Sequence, residues 1–171
     1  NATVTGSDNI TWSATYKMVE ARDNGSVSLN IVFSDLAGNA GIPVNSTTNG
    51  SAVRFDKTAP TLLDNLTIAS NNTLYTTMAK TGDNITLSIT SSEAIQTPTV
   101  TIAGQNATVT GSDNITWSAT YKMEEDRDEG SVSLNIGFSD LAGNPGDTVT
   151  STRNGSAVVF DKTKPVLLPV D

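Results

Sequence analysis

From Ile115 to Met123 apolar and polar residues alternate strictly: Ile115, Trp117, Ala119, Tyr121 and Met123 fall between Thr116, Ser118, Thr120 and Lys122. A period of two puts one apolar face on a β-strand. The same alternation runs through Val132, Leu134, Ile136 and Phe138, and through Ile85, Leu87 and Ile89. Shorter strands are predicted at 61–69, 98–103, 106–110 and 156–161. Gly82-Asp83, Gly104-Gln105, Gly111-Ser112-Asp113-Asn114, Gly143-Asn144-Pro145-Gly146 and Asn154-Gly155 separate them with turn-forming residues. No segment sustains a 3.6-residue period. Seven short strands, half apolar and half Ser/Thr, predict an all-β fold: an antiparallel β-sandwich of two facing sheets.

The pattern occurs twice. Residues 1–66 and 106–171 align without a gap at an offset of 105, with 51 of 66 positions identical. NATVTGSDNITWSATYKM stands at 1–18 and again at 106–123, FSDLAGN at 33–39 and 138–144, and FDKT at 55–58 and 160–163. The 15 differences include Val19/Glu124, Ala21/Asp126, Asn24/Glu129 and Ile42/Asp147, mostly in expected loops. A repeat of this length is a tandem array of small domains. Asp56-Lys57-Thr58-Ala59-Pro60 and its copy Asp161-Lys162-Thr163-Lys164-Pro165 mark the boundaries, since Pro suits a first strand or a stiff linker. On this cut 58–162 is one complete repeat, 1–57 the last four strands of a preceding one, and 163–171 the start of another. The opposite cut, a domain at 1–105, would put the linker inside a hairpin. The first 57 residues then lack the strands that would cover their apolar face. They would be completed by another chain, or the sequence, which opens on Asn1, is a fragment.

Composition removes most chemistry. There is no His and no Cys, which excludes a His-based nucleophile pair and zinc, haem or iron–sulfur sites of ordinary type. Ten Lys+Arg against 18 Asp+Glu, net −8, argues against a nucleic-acid partner and suits hard cations such as calcium. No run approaches the ~18 apolar residues of a membrane span. Paired acids for glycosidase chemistry have no cleft-like context, so no enzyme is expected.

Ser92-Glu93-Ala94, Asp140-Leu141-Ala142-Gly143-Asn144 and Phe55-Asp56-Lys57-Thr58-Ala59-Pro60-Thr61 together resemble the bacterial immunoglobulin-like repeats of surface adhesins and other prokaryotic stalk proteins. The resemblance covers essentially the whole chain. It implies a seven-strand immunoglobulin-like sandwich, an extracellular, cell-surface location and often calcium at domain junctions. The chain departs from the antibody pattern, having no Cys pair and its Trp on the fifth strand.

In such a sandwich, Glu93, Asp113, Asp140, Asn144 and Asp147 gather at the pole where the chain comes in, beside linker residue Asp56. Calcium takes 6–8 oxygen ligands, and Asp56, Glu93 and Asp140 are its candidate ligands; solvated turn acids are the competing reading, with DLAGN as an Asp-capped turn. Glu125, Asp128 and Asp161 would be the next junction site, or Glu124–Glu129 a solvated loop. Eleven of 16 Asn lie in Asn-x-Ser/Thr sequons, with Asn65, Asn71, Asn84, Asn106 and Asn114 the glycosylation candidates of the complete repeat, against plain turn chemistry. A lysine–asparagine crosslink through Lys80 or Lys162 is conceivable without any sequence reason to expect it. A sugar-binding module needs exposed aromatics; Trp12, Trp117, Tyr16, Tyr121, Phe33 and Phe138 fall on expected core faces and only Tyr75 is free. The function expected is a spacer or adhesin stalk, its partners neighbouring repeats of the same chain. The alternative is a segment of a glycosylated surface filament in which other copies complete the half-repeat by strand complementation.

Overall fold

The computed structural model describes residues 1–168; the last three residues of the segment expected to begin a following repeat at 163–171 lie outside the described residues. The fold is all-β, with no helix among the described residues. The chain divides into two compact units, 1–58 and Ala59 onward.

The first unit holds β1 (Thr3–Gly6), β2 (Trp12–Thr15), β3 (Gly25–Ser26) and β4 (Arg54–Phe55). These form two two-stranded antiparallel ladders, β1–β2 and β3–β4. The second unit holds β5 (Thr67–Ser70), β6 (Met78–Ala79), β7 (Asn84–Thr90), β8 (Thr99–Ile102), β9 (Gln105–Asn106), β10 (Thr108–Gly111), β11 (Thr116–Lys122), β12 (Gly130–Ser131), β13 (Leu134–Gly137) and β14 (Val159–Phe160). Its sheets run β10-β11-β7-β5, β12-β14-β6 and β13-β8-β9. That all-β arrangement around one apolar core is consistent with a β-sandwich.

The period of two does the work it promised in the second unit. Along β7, Ile85, Leu87 and Ile89 are buried while Asn84, Thr86, Ser88 and Thr90 reach the surface to varying degrees. β7 pairs antiparallel with β11 in a register that sets Ile85 opposite Tyr121, Leu87 opposite Ala119 and Ile89 opposite Trp117. Apolar residues thus meet on one face, where cross-strand pairs stabilise a sheet. Val100, Ile102, Leu134, Ile136, Val158 and Phe160 close the core. Ile115 is the exception on its strand: it precedes β11 and is exposed. β6 was not foreseen; it pairs parallel with β14 over two residues, too short to carry an alternation.

The first unit keeps the local ladders and loses the core. β1 pairs β2 from Thr3↔Thr15 to Gly6↔Trp12, and β10 pairs β11 from Thr108↔Thr120 to Gly111↔Trp117 in the same register. Yet Trp12 is 58 % exposed where Trp117 is 6 %, and Ile31 is 52 % exposed where Ile136 is fully buried. Tyr16 and Phe33, expected on a core face, are exposed as well. The sequence at these positions is the same, so the difference lies in what covers them. In the second unit, strands contributed by residues 62–102 do so.

Candidate functional site

The chain comes into the second unit beside two loops. The Thr61 N–H bonds Ser92 Oγ at 3.0 Å and the Ser92 N–H bonds Thr61 O at 2.8 Å, which sets the incoming segment next to Glu93. Buried Ser91 stiffens that loop, its hydroxyl donating to Glu93 O at 2.5 Å and Ile115 O at 3.2 Å. On the other side Gly146 packs so close to the incoming segment that a Cβ there would sit 2.8 Å from Pro60 O.

Asp140 caps the second loop. Its Oδ1 accepts the Asn144 N–H at 2.7 Å and its Oδ2 accepts Asn144 Nδ2 at 2.7 Å. An Ile95–Asp140 bridge and a Gln96 Nε2 bond to Asp140 O at 2.9 Å tie the loop to the segment after Glu93. Asp140 is almost wholly buried. Burial alone would raise its pKa, but the Asn144 side chain and the N–H groups of Asn144, Gly143 and Ala142 outweigh it and hold the carboxyl below its usual value. In the first copy Asp35 makes the same cap, with Asn39 N at 2.8 Å, Asn39 Nδ2 at 2.8 Å and Ala37 N at 3.0 Å. There the Asn39 side chain leads in lowering the carboxyl's pKa, on a fully exposed group. The Asp-Leu-Ala-Gly-Asn motif is therefore an Asp-capped turn in both copies.

Glu93 is half-buried, and its carboxylate and that of Asp140 offer oxygens within 4.8 Å of each other. Two oxygens ligating one calcium at 2.3–2.6 Å stand at most about 5 Å apart, so this spacing fits one ion. Each carboxylate oxygen of Asp140 carries two lone pairs, and the Asn144 amide takes only one of those on Oδ2. Asp56 belongs to the first unit, just after β4, where its Oδ1 accepts the Thr58 N–H at 3.0 Å. Asp113 serves its own turn, accepting the N–H of Ile115 at 2.9 Å and of Thr116 at 2.6 Å, and with Asp147 it stays outside the close pair. Glu125, Asp128 and Asp161 form no comparable group among the described residues. Asp161 is exposed and caps Thr163, whose N–H it accepts at 2.9 Å.

What sequence reasoning missed is the purpose of the Asp-Lys-Thr segment. Lys162 Nζ donates to Glu125 O at 2.8 Å and Arg127 O at 2.9 Å, and its own N–H donates to Glu129 Oε1 at 2.8 Å. Thr163 Oγ1 donates to the same Glu129 oxygen at 2.8 Å. In the first copy Lys57 Nζ donates to Glu20 O at 2.8 Å, the Lys57 N–H to Asn24 Oδ1 at 3.0 Å, and Asn24 Nδ2 to Thr58 Oγ1 at 2.5 Å. Asn24 and Glu129 differ in charge, yet each supplies the same acceptor oxygen. The loop is a solvated charge run, exposed apart from half-buried Arg127, and it also receives the outgoing segment after β14. The Lys recurs in both copies, but the loop differs at Val19/Glu124 and Ala21/Asp126 as well as at Asn24/Glu129, so the sequence does not single out these bonds.

Of the sequon residues, Asn65 Nδ2 donates to Thr90 Oγ1 at 3.0 Å and Asn71 Oδ1 accepts the Asn84 N–H at 2.8 Å. Asn84 is half-buried in β7, while Asn106 and Asn114 are exposed, the latter in a turn at φ 59°. The left-handed region favours Asn for conformational reasons alone, so that sequon has a turn role whatever else it carries.

No family model, curated protein or solved structure matches the chain. None of its described helices is long and apolar enough to cross a membrane, there being none.

Proposed function

We propose that the chain is a piece of a mechanical spacer: tandem immunoglobulin-like repeats that form the stalk of an extracellular adhesin or similar surface protein. The observation that carries this reading is the exit clasp common to both copies. A lysine bonded to two carbonyl oxygens, or to one with Glu20 3.6 Å away, fixes the direction in which the strand leaves each unit. A stalk needs that direction fixed at every repeat, and the same clasp recurs in both copies.

Junctional calcium completes the proposal. Glu93 and Asp140 would supply carboxylates where the chain comes into the repeat. Asp56 stands five residues before Thr61, within about 17 Å along an extended chain, so the linker can bring it to the same ion. Asp161 would be its counterpart for a following repeat. A calcium ion shared by linker and loops would stiffen the joint that Pro60 already restricts.

Small-angle scattering on a protein of two complete repeats tests both parts. The expected result is an elongated particle that shortens or loosens when EDTA removes calcium. An elongated particle indifferent to EDTA removes the metal and leaves the spacer. A compact particle under all conditions removes the spacer.

A further inference from the structure

Three Asn-Gly pairs stand in the chain, Asn24-Gly25, Asn49-Gly50 and Asn154-Gly155, and Ser follows each of them. An Asn-Gly pair is open to attack by its own main chain, because glycine puts no side chain between its nitrogen and the asparagine amide. Sequence does not separate the three, and all three asparagines are exposed. Their bonds do separate them. Asn154 Oδ1 accepts the Ser156 N–H at 3.0 Å, and Asn49 Oδ1 accepts the Ser51 N–H at 3.0 Å. Both pairs lie outside the strands, and the donor in each belongs to the same turn. Asn24 is held from a distance. Its Oδ1 accepts the Lys57 N–H at 3.0 Å, its Nδ2 donates to Thr58 Oγ1 at 2.5 Å, and Gly25 is paired with Phe55 in the β3–β4 ladder.

We infer that Asn49 and Asn154 are sites of self-modification, passing through a cyclic imide to aspartate and isoaspartate, and that the exit clasp protects Asn24 from the same fate. At Asn154 the Gly155 nitrogen adds to Cγ. Its proton leaves with the amide nitrogen as ammonia, and the new N–Cγ bond closes the imide ring. Water then opens the ring. Cleavage of the bond to Cγ restores the main chain as aspartate, and cleavage at the main-chain carbon leaves it running through Cγ as isoaspartate. The Ser156 N–H already bonded to Oδ1 stabilises the negative charge that develops there as the nitrogen adds. That donor moves with its turn. At Asn24 the clasp fixes the amide and the ladder fixes the glycine, so the two meet only when both sets of bonds break. The second copy has Glu129 at this clasp position, an acceptor oxygen with no amide to lose. Modification also reaches the fold: Ser156 Oγ accepts the Ile68 N–H of β5 at 3.0 Å, and the extra main-chain atom of isoaspartate loosens that seat. This inference rests on the bonds at the three pairs and not on the spacer reading.

The test keeps the full 171-residue chain in warm, mildly alkaline buffer. Samples are digested with trypsin over time, and mass spectrometry resolves aspartate and isoaspartate at each position. Conversion at Asn49 and Asn154 should be at least about tenfold faster than at Asn24, the least that two lost hydrogen bonds and a broken ladder impose. Thr58→Val, at an exposed position, removes the acceptor of Asn24 Nδ2 and should speed conversion there several-fold. In urea the three rates should converge. Equal rates in the folded chain overturn the inference. So does an Asn24 that stays slow in urea, or an absence of product at Asn49 and Asn154 over a period in which the urea-unfolded chain converts.

Discussion

The two tryptophans form an internal control for what the covering strands contribute, since they occupy equivalent positions in identical surroundings of sequence. Consider Trp117→Ala and Trp12→Ala. Trp117 is 6 % exposed in the core of the second unit. Burying most of a ~250 Å² side chain at ~25 cal/mol/Å² sets an upper bound of about 6 kcal/mol. Measured Trp-to-Ala changes in cores cost about 3–5 kcal/mol. The Trp117 indole N–H is buried without a partner, which places this site toward the lower end. Trp12, 58 % exposed, keeps mainly its cross-strand seat over Gly6 in the register Gly6↔Trp12, a contact of about 0.2–1 kcal/mol. At roughly 4 °C per kcal/mol, Trp117→Ala should lower the melting temperature of the full chain by about 12 °C or more, and Trp12→Ala by no more than about 4 °C. The paired glycines check the reasoning. A Cβ on Gly111 would meet Trp117 Cε3 at 2.5 Å and Thr116 O at 2.9 Å, and the core holds that ring in place; a Cβ on Gly6 meets Trp12 Cε3 at 2.5 Å, but that ring can swing outward. Gly111→Ala should therefore be the costly member of its pair. Calorimetry or far-ultraviolet circular dichroism reads all four variants. Equal losses for Trp12→Ala and Trp117→Ala would refute the claim that the covering strands make the difference.

Acid should unfold the second unit from below about pH 4. Asp83 and Asp140 are both buried, a cost outweighed for Asp83 by bonds from Lys80 N–H, Asn72 and the Lys80 side chain, so both folded carboxyls lie below their usual value. Stability is then complete above the unfolded carboxyl pKa of ~3.9 and is lost as pH falls through the folded values; a denaturant midpoint unchanged between pH 6 and pH 2 would contradict this. Lys162→Met removes the donors to Glu125 O and Arg127 O and should cost about 1–3 kcal/mol, with limited proteolysis opening the 124–129 loop first. If that loop stays as resistant as in the parent chain, the clasp is not what orders it. Calcium at 100 times its Kd should raise stability by about 2.7 kcal/mol, and Glu93→Gln should abolish that gain while moving the metal-free melt by less than ~0.5 kcal/mol. A calcium-dependent rise that survives Glu93→Gln would exclude Glu93 as a ligand.

The strands were legible where a long alternation met a partner. β7 and β11 each run seven residues, and their apolar positions name the core face directly. β6 was not legible because a two-residue parallel pairing is decided by where β14 passes, which no local pattern encodes. Asp140 was legible as chemistry and only half legible as structure. Its spacing to Asn144 suggested either a capped turn or a ligand, and the bonds to Asn144 establish the turn while leaving an acceptor position on Oδ2. The clasp stayed hidden because Lys162 bonds main-chain oxygens 35 and 37 residues away, and carbonyls leave no trace in side-chain identity.

The two copies also separate local from non-local specification of the fold. Hairpin register survives in the first unit without a core: Thr3↔Thr15 repeats Thr108↔Thr120, and the bridges Ile31↔Val44 and Ser34↔Ala40 repeat Ile136↔Val149 and Ser139↔Pro145. Those features follow from turns such as Asn9 and Asn114, both at φ 59°, which set the strand offset before any packing occurs. Burial does not survive, because it depends on residues far away in the chain. An isolated two-stranded ladder is marginal in water. The first unit's ladders therefore gain most of their stability from whatever segment covers them, while their geometry is already prepared to receive it. Local turns thus set the register of the ladders in both copies, and in the second unit residues 62–102 supply the apolar face that turns the same ladders into a core.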